Sequence, residues 1–154
     1  MGRIGLISDT HNHLDPAVLK AFRGVDQILH AGDVGARHIL AALESIAPVT
    51  VVSGNTDYDP DWRETEVAEA AGLKILLRHI VDPYALTREL RGWLDRVRPH
   101  IVLFGHTHQR CQAWVNNVLF LNPGSPSRPR MGEPPGVALL DGNAEKFHVE
   151  FVNL

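Results

Sequence analysis

The sequence predicts an α/β fold in which two mixed β-sheets pack together and helices cover their outer faces. Three observations predict it. Strand and helix patterns alternate over the first third of the chain, as parallel βαβ units with right-handed crossovers require. One strongly amphipathic helical stripe stands in the middle. The last third reads as antiparallel hairpins, with turn residues between short apolar runs. At 154 residues, 44% hydrophobic and 21% charged, the chain suits one domain spanning 1–154 and excludes disorder.

The elements follow in order. Arg3 to Ser8 is a buried strand. Asp15-Pro16 then supplies an N-cap with proline at the first helical position, Val18, Leu19 and Phe22 share a face, and Gly24 stops the helix. Asp26 to His30 is the second strand, Arg37 to Ser45 the second helix, and Pro48 to Ser53 the third strand. Asp57 to Arg63 is polar and turn-rich, hence a loop. Thr65 to Ala70 and Lys74 to Arg78 form a hairpin around Ala71-Gly72, with a helical first arm as the alternative. A second Asp-Pro pair, Asp82-Pro83, opens a helix whose stripe is Leu86, Leu90, Trp93, Leu94 and Val97, closed by Arg98-Pro99. Ile101 to Phe104 is a strand. Cys111 to Val115 and Val118 to Leu121 flank Asn116-Asn117, and Val137 to Leu140 and Glu145 to Val152 flank Gly142-Asn143. The stretch from Pro123 to Gly136 is an ordered surface loop.

Composition removes several functions. The formal net charge of −3 argues against binding long nucleic acid, which depends on surplus Lys and Arg. The single cysteine, Cys111, excludes a disulfide framework and a Cys-based zinc site. No apolar run is long enough to span a membrane. The start at Met1-Gly2 places Leu6 where myristoylation wants Ser or Thr. The expectation is a soluble cytoplasmic protein.

The nine histidines locate the chemistry. The first strand runs into Ser8-Asp9-Thr10-His11, the second into Gly32-Asp33 and the third into Gly54-Asn55-Thr56-Asp57. The arm ending in Arg78 leads to His79, and the strand from Ile101 leads to Gly105-His106-Thr107-His108. Ligands gather at the carboxyl ends of strands in open α/β sheets, where loops leave a crevice. In extended backbone, residues i and i+2 point the same way, so Asp9 with His11, and His106 with His108, each aim two side chains into one pocket. Gly32, Gly54 and Gly105 let the chain turn sharply. Carboxylate, amide and imidazole without thiolate suit Mn, Fe, Co, Ni or Zn. Asp9, His11, Asp33, Asn55, His79, His106 and His108 exceed the needs of one tetrahedral ion. They suit two ions about 3.5–4 Å apart.

In this order, Asp9-x-His11, Gly32-Asp33, Gly54-Asn55-x-Asp57, His79 and Gly105-His106-x-His108 resemble the calcineurin-like metallophosphoesterases. With Asn122-Pro123-Gly124-Ser125, they are most similar to the small bacterial and archaeal phosphodiesterase branch, over about residues 4 to 125. The resemblance implies an α/β/β/α sandwich and two divalent metal ions. Asp9, His11 and His108 would hold the first metal, Asn55, His79 and His106 the second, and Asp33 would bridge them. It further implies in-line attack on a phosphate ester by a hydroxide held between the metals, with Asn55 also touching the phosphate. Relatives are often dimers or tetramers, so the resemblance leaves a homo-oligomer open without fixing the oligomeric state.

Two positions depart from the family. Thr56 stands where many relatives carry a histidine able to protonate the leaving oxygen, and a hydroxyl is a poor acid at neutral pH. Esters with an easily departing group, or a proton supplied by water, would suit this site. Ile80 follows His79 where the family usually has glycine, which would narrow the pocket mouth or shift His79.

Simpler readings apply elsewhere. Asp57 is a carboxylate that fixes its loop, and His13 lines the pocket. His30 is a buried structural histidine, while His38, His100 and His148 are surface or structural. Trp93 belongs to the core. Arg128 and Arg130 are read as solvated rather than substrate-binding. The main functional expectation is a metal-dependent phosphoesterase acting on small phosphate esters. The alternative is a scaffold on the same fold that has lost its chemistry, as a retromer subunit resembling this family has; that conversion shows as ligand loss.

Overall fold

Apolar residues alternate along the strands, and the alternation decides which face each strand buries. The computed structural model describes residues 2–154. Met1, part of the myristoylation reading, lies outside the described residues. The first sheet contains β1 (Gly2–Ile7), β2 (Gln27–His30), β3 (Val49–Val51), β9 (Gly136–Gly142) and β10 (Phe147–Asn153). Its order is β10-β9-β1-β2-β3. The second contains β4 (Thr65–Ala70), β5 (Leu73–Arg78), β6 (Ile101–Leu103), β7 (Arg110–Val115) and β8 (Val118–Pro123), in the order β4-β5-β6-β8-β7. Both sheets are mixed, with β1, β2 and β3 parallel in one and β5, β6 and β8 parallel in the other.

Ile4, Leu6, Leu29, Ile75, Leu77, Ile101 and Leu103 meet in the layer between the sheets. The intervening residues face outward. Ile7, Ile28, Val137 and Leu139 pack beneath α1 (Pro16–Ala21) and α2 (Arg37–Glu44), whose Val18, Ile39 and Leu43 are buried there. Leu76, Val102 and Phe120 pack beneath α3 (Arg88–Val97) through Leu90. The result is the expected α/β/β/α sandwich. Gly5 is an outward position with no side chain because Phe22 occupies the space: a Cβ there would stand 2.9 Å from the ring.

Asp15 caps α1 by accepting from the Ala17 amide at 2.8 Å, with Pro16 at the first position. The third helix starts later than its sequence suggests. Asp82 closes only a turn, accepting from the Tyr84 and Ala85 amides. Thr87 is the N-cap, its hydroxyl accepting from the Leu90 amide at 3.2 Å. Leu86 reaches the apolar stripe from the preceding turn.

Thr65–Ala70 is a strand, not a helix. Ala71 (φ 53°) and Gly72 (φ 78°) make the left-handed pair that a two-residue hairpin turn requires, as do Asn116 (φ 50°) and Asn117 (φ 65°). The last hairpin departs from expectation: β9 continues through Gly142, and Asn143 closes a longer loop by accepting from the Glu145 and Lys146 amides.

Because β1, β2 and β3 run parallel, as do β5 and β6, their carboxyl ends open on one side of each sheet. The loops leaving those ends converge.

Candidate metal centre

The candidate ligands form two groups. Ligand atoms of Asp9, His11 and His108 lie within 4.8 Å of one another, and so do those of Asp33, His79 and His106. Asp33 Oδ2 stands 3.6 Å from His11 Nε2 and 3.2 Å from His79 Nε2, between the groups. Asp9 Oδ1 stands 3.3 Å from His108 Nε2 and 3.7 Å from His79 Nε2. The amide oxygen of Asn55 lies 3.1 Å from His106 Nδ1 at the outer edge of the second group.

Hydrogen bonds fix which atom each side chain leaves free. Asp9 Oδ2 accepts from the Ser8 hydroxyl (2.7 Å) and the His106 amide (3.0 Å), leaving Oδ1 without a partner. Asp33 Oδ1 accepts from the Thr56 amide at 2.9 Å, leaving Oδ2 toward the histidines. The Nδ1 atoms of His79 and His108 each donate to a carbonyl at 2.7 Å, that of Ala31 and that of Arg128. Each neutral ring therefore presents a lone pair from Nε2. His79 Nε2 is buried and has no hydrogen-bond partner.

Nε2 of His11 and of His108 come within 3.1 Å of each other, beside the oxygens that Asp9 and Asp33 leave free. Nitrogen and oxygen donors crowded this closely, with Asp9 Oδ1 and His79 Nε2 lacking any hydrogen-bond partner, fit a site that receives cations. Ligand atoms about 2.0–2.2 Å from one ion stand roughly 3–3.5 Å from each other, close to the separations seen here. Burial opposes charge on His79, but the carboxylates of Asp33 and Asp9 outweigh it and raise its pKa. Burial also opposes ionisation of Asp33, yet His79 and the Thr56 amide hold that carboxyl below its usual range. The local field favours positive charge, and the donor set fits divalent metal.

The route to convergence differs from the sequence expectation. Asp9, His11, Asp33, His106 and His108 all have left-handed φ, from 47° to 71°, rather than extended backbone. His106 and His108 fall in different groups, the division that the resemblance implies. Gly32 does turn with positive φ, 99°, but Gly54 and Gly105 are needed for room. A Cβ on Gly54 would collide with Asp33, and one on Gly105 with the Ser8 hydroxyl and Asp9.

A family model described as the calcineurin-like phosphoesterase superfamily domain matches residues 3–145. The chain belongs to that superfamily. A probable metallophosphoesterase of Methanothermobacter thermautotrophicus is 37% identical, covering 97% of this chain and 91% of its own. A phosphodiesterase of Methanocaldococcus jannaschii is 27% identical, covering 94% and 96%. Among solved structures, a predicted phosphoesterase from Streptococcus pneumoniae superposes with TM-score 0.81 at 28% identity, covering 99% and 89%. Vps29 of Entamoeba histolytica, solved with Zn2+, shares the fold alone (TM-score 0.75, 23% identity, 97% and 98% covered).

In this metallophosphoesterase, several residues near the cleft serve as braces. Asp57 accepts from the amides of Val34, Gly35 and Gly54, tying together the loops after β2 and β3. His30 is fully buried: Nδ1 accepts from the Gly32 amide and Nε2 meets the Thr10 hydroxyl at 3.0 Å. Asn122 bonds the Gly105 carbonyl and the Thr107 hydroxyl through its amide nitrogen. Ser125 donates to the Asp9 carbonyl at 2.8 Å and Ser127 to the Thr10 carbonyl at 2.8 Å. Sequence reasoning gave these serines no role; Ser125 stands in the Asn-Pro-Gly-Ser run, and nothing marked Ser127.

His13 is exposed and is not among the residues lining the cleft, contrary to expectation. Arg128 and Arg130 do line it, with His11, Asp33, Asn55, Thr56, His106 and His108, around a hollow of about 420 Å³. Ile80 is 53% exposed and walls an adjoining hollow of about 330 Å³ with Trp62, Asn55 and His79. It leaves His79 in bonding contact with Ala31.

Proposed function

We propose that this metal-dependent phosphoesterase hydrolyses small phosphodiesters with a pair of divalent cations. Asp9, His11 and His108 hold one, and Asn55, His79 and His106 the other. Asp33 lies between them. The observation that carries the reading is the position of Asp33 Oδ2, 3.6 Å from a ligand atom of one group and 3.2 Å from one of the other. Divalent cations held by these residues would lower the pKa of bound solvent and neutralise phosphoryl charge.

The side chains supply the rest. The carboxylates are locked by hydrogen bonds through their outer oxygens, so little reorganisation is needed. The amide nitrogen of Asn55 is free to donate to a phosphate oxygen, since its carbonyl oxygen faces His106. The Thr56 hydroxyl cannot deliver a proton to a leaving alkoxide at neutral pH, so activated esters are favoured. The scaffold alternative finds no support in the donor set, because all seven positions keep ligand-competent side chains. We take residues 1–154 as one domain working in the cytoplasm, with Mn, Ni, Co, Fe or Zn as candidate ions.

The test is hydrolysis of bis(p-nitrophenyl) phosphate by chelator-treated protein resupplied with each metal. Turnover that needs added metal is expected; full activity in excess chelator overturns the proposal.

A further inference from the structure

The loop between β8 and β9 sets Arg128, Pro129 and Arg130 against the candidate metal centre. Both arginines are exposed, and among the described residues neither guanidinium has a carboxylate within salt-bridge distance. The nearby acid, Glu133, is turned to the Arg110 amide, from which it accepts at 2.8 Å. The backbone beneath the arginines is not free to wander. The Arg128 amide donates to Ser125 Oγ at 2.9 Å, its carbonyl accepts from His108 Nδ1 at 2.7 Å, and the Arg130 amide donates to the His108 carbonyl at 3.2 Å. The loop that orients His108 therefore also presents two unpaired cations to the same hollow.

We infer that Arg128 and Arg130 bind a second phosphate of the substrate, making the preferred substrate class a phosphodiester with an additional phosphate group. This inference rests on the phosphoesterase reading. Two dications set against the carboxylates of Asp9 and Asp33 already leave positive charge to match the single negative charge of a diester. Two further guanidiniums exceed that need, and a guanidinium fork suits phosphate oxygens. The hollow of about 420 Å³ falls within the usual range for small-molecule sites.

The experiment uses a matched pair: thymidine 5′-(p-nitrophenyl phosphate), and the same diester carrying a 3′-phosphate. In the metal-loaded protein the extra phosphate is expected to lower KM by roughly tenfold or more, and in the Arg128→Ala/Arg130→Ala variant the KM ratio falls toward one. Calorimetry supplies a readout independent of turnover. Thymidine 3′,5′-bisphosphate is expected to bind roughly tenfold tighter than thymidine 5′-monophosphate, with that advantage lost in the variant. A preference that survives in the variant, or no preference in the parent protein, overturns the inference. Equal losses for both members of each pair also overturn it, because they assign the arginines to the scissile phosphate. Turnover that persists without metal defeats the phosphoesterase mechanism instead, and the calorimetric ratio still decides the arginines.

Discussion

The two halves of the candidate metal centre are built to different standards. In the first, Asp9 is held through its side chain by Ser8 and the His106 amide, and through its carbonyl by Ser125 and Ser127. His108 is oriented by the Arg128 carbonyl. The second half is equally firm at its inner end, where His79 is locked to Ala31 and Asp33 to the Thr56 amide. Its outer end is Asn55, exposed on the loop after β3, with only His106 for a side-chain partner. The difference teaches that affinity is not set by the donor list alone. In the proposed two-cation centre the better-braced half is expected to hold its cation more tightly, while the other would gain its last ligand from a loop that must be fixed on binding.

The sharpest way to break this comparison is to replace the carboxylate oxygen that lies between the two groups. Asp33→Asn is expected to lower kcat on the order of 10²–10³-fold and reduce bound metal below two ions per chain. Near-normal turnover with both ions retained would show that Asp33 joins nothing. Asn55→Ala should act on one side only, lowering kcat by about 10²-fold and abolishing the weaker phase of a metal titration while sparing the tighter. Loss of both phases together would erase the asymmetry. Ser125→Ala is the converse, weakening the tighter phase by roughly 10–100-fold through the freed Asp9 backbone.

A fourth prediction concerns the packing beneath both halves. Burial, with the nearby His79 charge, pushes the His30 pKa from 6.5 down to about 3. The folded protein then keeps His30 neutral while the unfolded chain takes up a proton below 6.5. The resulting stability is complete above that pH and is lost as pH falls toward 3. Urea unfolding of metal-free protein between the two values should show an excess slope of about 1.4 kcal/mol per pH unit that His30→Asn removes. An unchanged slope refutes it. The smallest effect is distant: Thr87→Ala deletes the α3 cap, costs about 1 kcal/mol in thermal unfolding and leaves metal affinity untouched.

The sandwich was legible because alternating apolar residues announce a strand and its buried faces, as Ile4, Leu6, Ile75 and Leu77 do. The candidate ligands were legible for a related reason: each stands where an apolar run stops and a loop begins. Their backbone was not legible. Left-handed φ at Asp9 or His108 leaves no compositional mark, unlike the Asn116-Asn117 turn. The braces were hidden because Ser125, Ser127 and Arg128 act on or through carbonyls, which every residue possesses. The start of α3 misled because Asp82-Pro83 and Thr87 are both plausible openings, and only packing selects between them.

The left-handed angles at Asp9, His11, Asp33, His106 and His108 have an evolutionary consequence. L-residues hold such angles at a cost on the order of 1 kcal/mol apiece, so the unloaded centre is a region of stored tension. A descendant that abandoned hydrolysis could relax each angle with glycine only by giving up the hydrogen bonds that Asp9, Asp33 and His108 make to their neighbours. Backbone relief and stranded partners then oppose each other at every discarded ligand, which slows the loss of the centre even after its chemistry is no longer selected.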